Sequence, residues 1–404
     1  MSYSTDEILQ YIKEEDVKFI RLAFCDVYGK QKNVSVMPGE IARAFSDGIA
    51  FDGSAIEGFG TDVRSDLFLV PDPATISVLP WRPEHGKVVR VYCSILKPDK
   101  TPFEQDTRNI LKSAIADAEK AGLKFAFGSE IEFYLFKCDE SGKPTREPYD
   151  EAGYMDIAPE DKGENVRREI CLTLDAMGIK PESSHHEEGA GQNEIDFRYS
   201  DPLSAADNAV TFKTVVRTIA ARNGLFADFS PKPLPAAPGN GMHVNMSVKS
   251  TDGEDVTPYA IAGIMNRIAE ITAFLNPVDN SYERLGNRKA PRFISWSAQN
   301  RSQLIRVPAA EGEYKRIELR SPDPCCNPYV AFALLIRAAT EGIEQKLTLP
   351  PACDLNLFAC TDDKVKGLEK LPADAAKARG IAAKSEFVKS VLPAEIIKAY
   401  CISR

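Results

Sequence analysis

The chain has 404 residues and is 43% hydrophobic, enough for a large core and for two or so domains at roughly 100–200 residues each. Its formal net charge is −9 and it carries no long basic run, which argues against a nucleic-acid partner. No stretch approaches about 18 consecutive apolar residues, so a membrane-spanning helix is excluded.

The opening segment, MSYSTDEILQYIKEED, is acidic and polar and does not read as a secretory leader. Residues 16–36 alternate apolar and polar about a turn at Tyr28-Gly29-Lys30, which predicts a hairpin. Gly- and Asp-rich loops are expected over 47–73 and a short strand over 88–96, so a small β-rich domain is placed at 1–100. Composition shifts at KPDKTPFEQDT (97–107). A helix, RNILKSAIADAEKAG, follows, with Thr107 as its expected cap and Gly122 past its end. Residues 101–404 mix short strands with helices expected at 162–178, 203–223, 257–275 and 327–347. The two kinds do not alternate regularly, so the fold class is α+β rather than a doubly wound sheet. Nine scattered cysteines without CxxC spacing predict reduced thiols in a cytoplasmic protein.

Four segments carry one chemical face, because successive strand residues point to opposite sides. GSEIEFYLF places Glu130 and Glu132 opposite Ile131, Phe133 and Leu135. GQNEIDFRY places Glu194, Asp196 and Arg198 opposite Ile195, Phe197 and Tyr199. GMHVNMSV places His243, Asn245 and Ser247 opposite Met242, Val244 and Met246, and YKRIELR places Arg316, Glu318 and Arg320 opposite Ile317 and Leu319. Any one of them could be an ordinary half-solvated sheet. Solvated faces usually carry Lys, Thr and Ser, whereas these carry Glu, His, Asn and Arg. Several carboxylates with one imidazole suit Mg²⁺ or Mn²⁺, and arginines beside them suit a phosphate or a substrate carboxylate.

The Gly-rich turn HHEEGAGQNE adds His185, His186, Glu187 and Glu188. It fails as a zinc-protease motif because Ala190 stands where the second histidine belongs. Glu187 is a metal-ligand candidate, and His185 and His186 are each as compatible with a supporting as with a ligating role. No Walker A loop and no GxGxxG fingerprint occur, so a nucleotide would bind by other means. Arg301 and Arg306, in NRSQLIR, could serve phosphoryl transfer, which needs mainly positioning and charge stabilisation.

These residues resemble type I glutamine synthetases along nearly the whole chain. The matching motifs are RLAFCDVYGKQKNV, FDGSAIEGF, SDLFLVPDPAT, GSEIEFYLF, HHEEGAGQNEIDFRY, FSPKP, GMHVNMS, NRSQLIRVP and RIELRSPDPCCNPYVAFALL. The resemblance implies a small β-grasp-like N-terminal domain and a catalytic domain with an antiparallel β funnel. It implies two or three Mg²⁺ or Mn²⁺ ions, one held by Glu132, Glu187 and Glu194 and a second by Glu130, His243 and Glu318. Gly239, Arg284 and Arg320, with His243 and Arg301, would hold glutamate. Tyr199, Asn245, Ser247, Arg306 and Arg316 would hold ATP. Asp52, Arg301 and Arg320 would be catalytic, with Asp52 reaching a neighbouring subunit's funnel in stacked rings. The implied reaction forms a γ-glutamyl phosphate from glutamate and ATP, which ammonia then attacks.

Departures gather at the amine end. Where the family's flap carries a glutamate in an EAP-type motif, RLGNRKAP is one residue shorter and has Lys289. Ala55 replaces the second serine of FDGSS, Pro238 replaces an asparagine before GMH, and Asn245 replaces the second histidine of HxH. Phe358 stands where some members carry an adenylylated tyrosine. A cation at 289 is expected to repel ammonium. Two other readings follow from these departures, a γ-glutamyl ligase using a different amine and a non-catalytic relative.

Overall fold

The computed structural model describes residues 4–60, 62–81, 86–310, 312–361 and 363–402. Among the described residues, fifteen strands form two sheets. The N-terminal sheet contains β1 (Val17–Cys25), β2 (Gln31–Val36), β3 (Ile49–Asp52), β4 (Asp66–Pro71), β5 (Ser77–Val78) and β6 (Lys87–Leu96). Its order is β2-β1-β6-β4-β3, with β5 on β6 and one parallel pair, β1 with β6. The predicted hairpin forms between β1 and β2. Its Gly29 has φ 78°, and a Cβ there would meet the Asn327 backbone at 2.9 Å, so only glycine fits the turn. Two strands, β3 and β4, lie within the stretch expected to be loops. Leu67 and Leu69 bury against the sheet, and such short strands are set by their partners rather than by a long run of their own.

The second sheet is built on β7 (Leu123–Cys138), with β8 (Pro144–Pro148), β9 (Pro181–His186), β10 (Gln192–Phe197), β11 (Leu225–Asp228), β12 (Met242–Ser250), β13 (Trp296–Ala298), β14 (Ile305–Val307) and β15 (Ile317–Leu319). Its order is β13-β14-β15-β12-β7-β10-β9, antiparallel except for β13 with β14. Ile131, Phe133 and Leu135 are fully buried on one side of β7, and Phe127 stacks on Phe332 with ring centroids 4.5 Å apart. That contact packs the sheet on the apolar helix Pro328–Glu344.

The predicted helices appear as Glu164–Ala176, Pro202–Arg222, Thr257–Leu275 and Pro328–Glu344. Proline opens the second and the fourth, where its missing N–H costs nothing. The cap of the helix Thr107–Lys120 is Asp106, not Thr107. The Asp106 carboxylate accepts from the Arg108 and Ile95 N–H groups, while the Thr107 hydroxyl accepts from Asn327 Nδ2. No helix among the described residues is long and apolar enough to cross a membrane. All nine cysteines are free thiols.

Candidate active site

Strand register assembles the polar face into rows. His243 on β12 lies opposite Glu130 on β7, which lies opposite Asp196 on β10, which lies opposite Ser183 on β9. One step along, Glu132 faces Glu194 and Glu194 faces His185. On the other flank, Arg306 faces Glu318 and Glu318 faces Asn245. Five strands, β7, β9, β10, β12 and β15, thus deliver their carboxylates and imidazoles to one patch.

The contacts are direct. His243 Nδ1 lies 3.2 Å from Glu130 Oε2, and Asn245 Nδ2 donates to Glu130 Oε1 at 2.8 Å. The Gly241 N–H donates to Glu132 Oε2 at 2.7 Å. His185 Nε2 lies 3.1 Å from Glu187 Oε1 and 3.8 Å from Glu194 Oε1. Ligand atoms of Glu130, Glu194 and His243 converge within 4.8 Å, as do those of His185, Glu187 and Glu194. Glu132 and Glu318 stand just outside these groups. Glu132 is turned to Gly241 and Gln192, and Glu318 is gripped by Arg306 at 2.6 Å and by Arg320.

Charge is crowded here. Burial and then the Glu132, Asp196, Glu130 and Glu187 charges push Glu194 well above the usual carboxylate range. Burial and then Glu130 push Asp196 up to about 6. Burial opposes ionisation of Glu130 as well, but the hydrogen bonds and charge of His243, with help from Asn245, bring it down to about 2. A divalent cation fits this donor set, because it would neutralise carboxylates that otherwise compete for protons. Nε of Arg306 and of Arg320 and Oδ1 of Asp196 are buried and have no hydrogen-bond partner among the described residues, which fits a polar ligand as well.

Two cavities meet at Glu130. One, of about 290 Å³, is lined by carboxylates together with Gly239, His243, Arg284, Lys289, Arg301 and Arg320. Arg284 is buried, and its guanidinium donates to Ser321 O at 2.7 Å and Arg320 O at 3.1 Å. The other, of about 330 Å³, is lined by Glu130, Asp196, Tyr199, Asn245, Ser247 and Arg316. Arg316 Nε donates to Asn245 Oδ1 at 2.9 Å, so Asn245 bridges Arg316 to Glu130.

Not every expected residue joins the patch. Arg198 falls beyond the end of β10, exposed and outside both cavities, because the strand stops at Phe197. Asp52 is exposed at the end of β3, accepting from Ser54 N, Ser54 Oγ and Ser65 Oγ, and lines neither cavity of its own chain. Asn240 is fully buried and spent on Asp228 O and Ser230 O. His186 is buried, with Nδ1 2.7 Å from Glu187 O and Nε2 2.8 Å from Asp150 Oδ1, so it supports the turn that presents Glu187. Lys289 does not stand alone. Its ammonium is paired with Glu188. Residues that the sequence reading passed over are Tyr154 and Gln192, both lining the first cavity. Gln192 was visible as the first inward position of its strand; Tyr154, in a loop, had no periodic signal.

The fold and site define a class, an enzyme whose sheet gathers carboxylates, two imidazoles and arginines between two cavities. Residues 104–404 match the family model of the glutamine synthetase catalytic domain, and 16–98 that of the glutamine synthetase beta-Grasp domain. The chain belongs to the glutamine synthetase family. It is 45% identical to a glutamine synthetase of Methanosarcina mazei over 99% of this chain and 93% of that one. It is 44% identical to one of Clostridium saccharobutylicum over 96% and 91%, respectively. Among solved structures, a GmaS/ADP complex superimposes with TM-score 0.88 at 27% identity over 99% of this chain and 94% of that one.

Proposed function

We propose that this chain is an ATP-dependent ligase that joins ammonia to the side-chain carboxylate of glutamate, yielding glutamine, ADP and phosphate through a γ-glutamyl phosphate. The observation that carries this reading is Glu130, which lines both cavities, so that ligands in the two would meet over one carboxylate–imidazole row. Arg284, held by two backbone carbonyls, and Gly239 would bind glutamate, with Arg301, Arg320 and His243 around its γ-carboxylate. Tyr199, Asn245, Ser247, Arg306 and Arg316 would hold ATP from the second side. Two or three Mg²⁺ or Mn²⁺ ions, held among Glu130, Glu132, Glu187, Glu194, His243 and Glu318, would neutralise charge on the transferring phosphoryl group. Residues 1–100 and 101–404 would act as N-terminal and catalytic domains, with copies assembled in stacked rings in the cytoplasm. Asp52, exposed and outside its own chain's cavities, would complete a neighbour's site.

A second reading, a γ-glutamyl ligase for another amine, draws on Lys289 at the amine end and on the likeness to GmaS. One assay separates the two. Phosphate release is measured with ATP, Mg²⁺ and glutamate against a panel of amines. Release with ammonia supports the first reading; release with an alkylamine or polyamine but not with ammonia sinks it.

A further inference from the structure

The HHEEG turn presents two carboxylates to the first cavity, and they have different company. Glu187 faces His185 and receives the Glu188 N–H at 3.0 Å. The Glu188 side chain instead meets the ammonium of Lys289, which also lies 5.4 Å from the centroid of the Tyr154 ring. A carboxylate beside an aromatic face is a general way to recognise an ammonium group. Here the group recognised belongs to the chain's own flap. The Lys289 side chain is 57% exposed and that of Glu188 32%, and ion pairs this open to water hold weakly. The loop itself is held elsewhere, by the backbone bonds Gly286 N–H to Pro291 O, Asn287 N–H to Arg284 O and Ala290 N–H to Asn287 O, with Arg288 donating to Ala236 O at 2.8 Å. Lys289 can therefore leave Glu188 without unfolding the loop.

Resting on the ligase reading above, we propose that Glu188 is the carboxylate that receives the cationic amine, and that Lys289 occupies this seat as a tethered competitor. The positive charge at 289 does not then simply repel ammonium. With Lys289 seated, Glu188 is neutralised and the seat is filled; with Lys289 swung into solvent, the cavity offers ammonium a free carboxylate. Glu188 and Lys289 thus act in opposite directions on one affinity.

The test compares two nucleophiles on the full-length assembled protein with ATP and glutamate. Ammonium arrives as a cation, whereas hydroxylamine is largely neutral at neutral pH and needs no carboxylate seat. Glu188→Gln is expected to raise KM for ammonium relative to KM for hydroxylamine on the order of tenfold. Lys289→Ala is expected to lower the same ratio. Shifts in the same direction make the pair a structural latch and overturn the proposal, as does an unchanged ratio in both variants. If Glu188→Gln does not fold, Lys289→Ala decides alone: a fall in the ratio supports the seat, and a rise or no change removes it. Wild-type protein that forms no hydroxamate and no glutamine overturns the ligase reading itself, and the seat with it.

Discussion

Arg306 and Glu318 face each other across the antiparallel pair of β14 and β15, with Nη1 2.6 Å from Oε2, and Arg320 grips the other oxygen of the same carboxylate. Glu318 is fully buried, so its charge is compensated only by its neighbours. Glu318→Ala leaves two arginines facing each other and is expected to cost about 3–5 kcal/mol in denaturant unfolding. Glu318→Gln retains an acceptor and is expected to cost less while lowering divalent-metal affinity in titration. Equal stability losses in the two variants would show that the retained acceptor contributes nothing and that the arginines depend on the charge alone.

Arg284 offers a planar guanidinium already fixed by two carbonyls. Lysine reproduces the charge without the fork. Arg284→Lys is expected to raise KM for glutamate by about tenfold or more, with a much smaller change in KM for ATP. Steady-state kinetics with each substrate varied in turn checks it, and equal rises in both constants would contradict it.

Asp196 titrates near 6 when folded, above the value of about 3.9 expected for an unfolded chain. The folded state therefore binds this proton more tightly. The stability it contributes is present below about pH 4 and is lost as pH rises toward 6, by about 3 kcal/mol. Without metal, Asp196→Asn is expected to flatten the pH dependence of Tm across that window. Saturating Mg²⁺ is expected to flatten the wild-type curve too, by neutralising Glu130, the neighbouring charge that raises Asp196. A variant curve parallel to wild type would rule this out.

His186 joins Asp150 to the carbonyl of Glu187 and is buried. Burial works against its protonation, but the Asp150 hydrogen bond and charge and the Glu187 carbonyl raise its pKa above the usual value. His186→Ala leaves Asp150 without its cation and is expected to cost about 3 kcal/mol. It also frees the turn carrying Glu187, so divalent-metal affinity should fall about 10–100-fold. Chemical denaturation and metal titration of the same variant check both, and retained metal affinity would separate the dyad from the site.

Asp52 is expected to act on another copy of the chain. Asp52→Ala and Glu318→Gln are each expected to lose most activity alone and to regain part of it when co-assembled, because some shared sites then hold both native residues. No recovery in a verified mixed assembly would return Asp52 to its own subunit.

Much of the site was legible because strand alternation is local. Glu130 and Glu132, Glu194 and Asp196, and His243 and Asn245 each sit two residues apart, and β7, β10 and β12 place them on one face. The same logic failed where strands ended. Arg198 lies one residue past β10, and no periodicity reveals where a strand stops. It also failed at Thr107, since the choice between adjacent capping side chains depended on Asn327, 220 residues away.

By itself the sequence determined the first hairpin, the long helices and the polar-faced strands, the α+β class, the family resemblance and the list of carboxylates, because these follow from short-range pattern and motif. Only the tertiary structure decided which carboxylates meet, since register between β7, β10 and β12 sets the rows. It also decided that Glu318 is held by arginines, that His186 is a support, and that Lys289 is paired with Glu188. The last two depend on a charge that faces the residue from a distant part of the chain, and the first on the register of β14 against β15. A cation read alone at 289 looked like a barrier to ammonium; with Glu188 opposite, its charge is already matched.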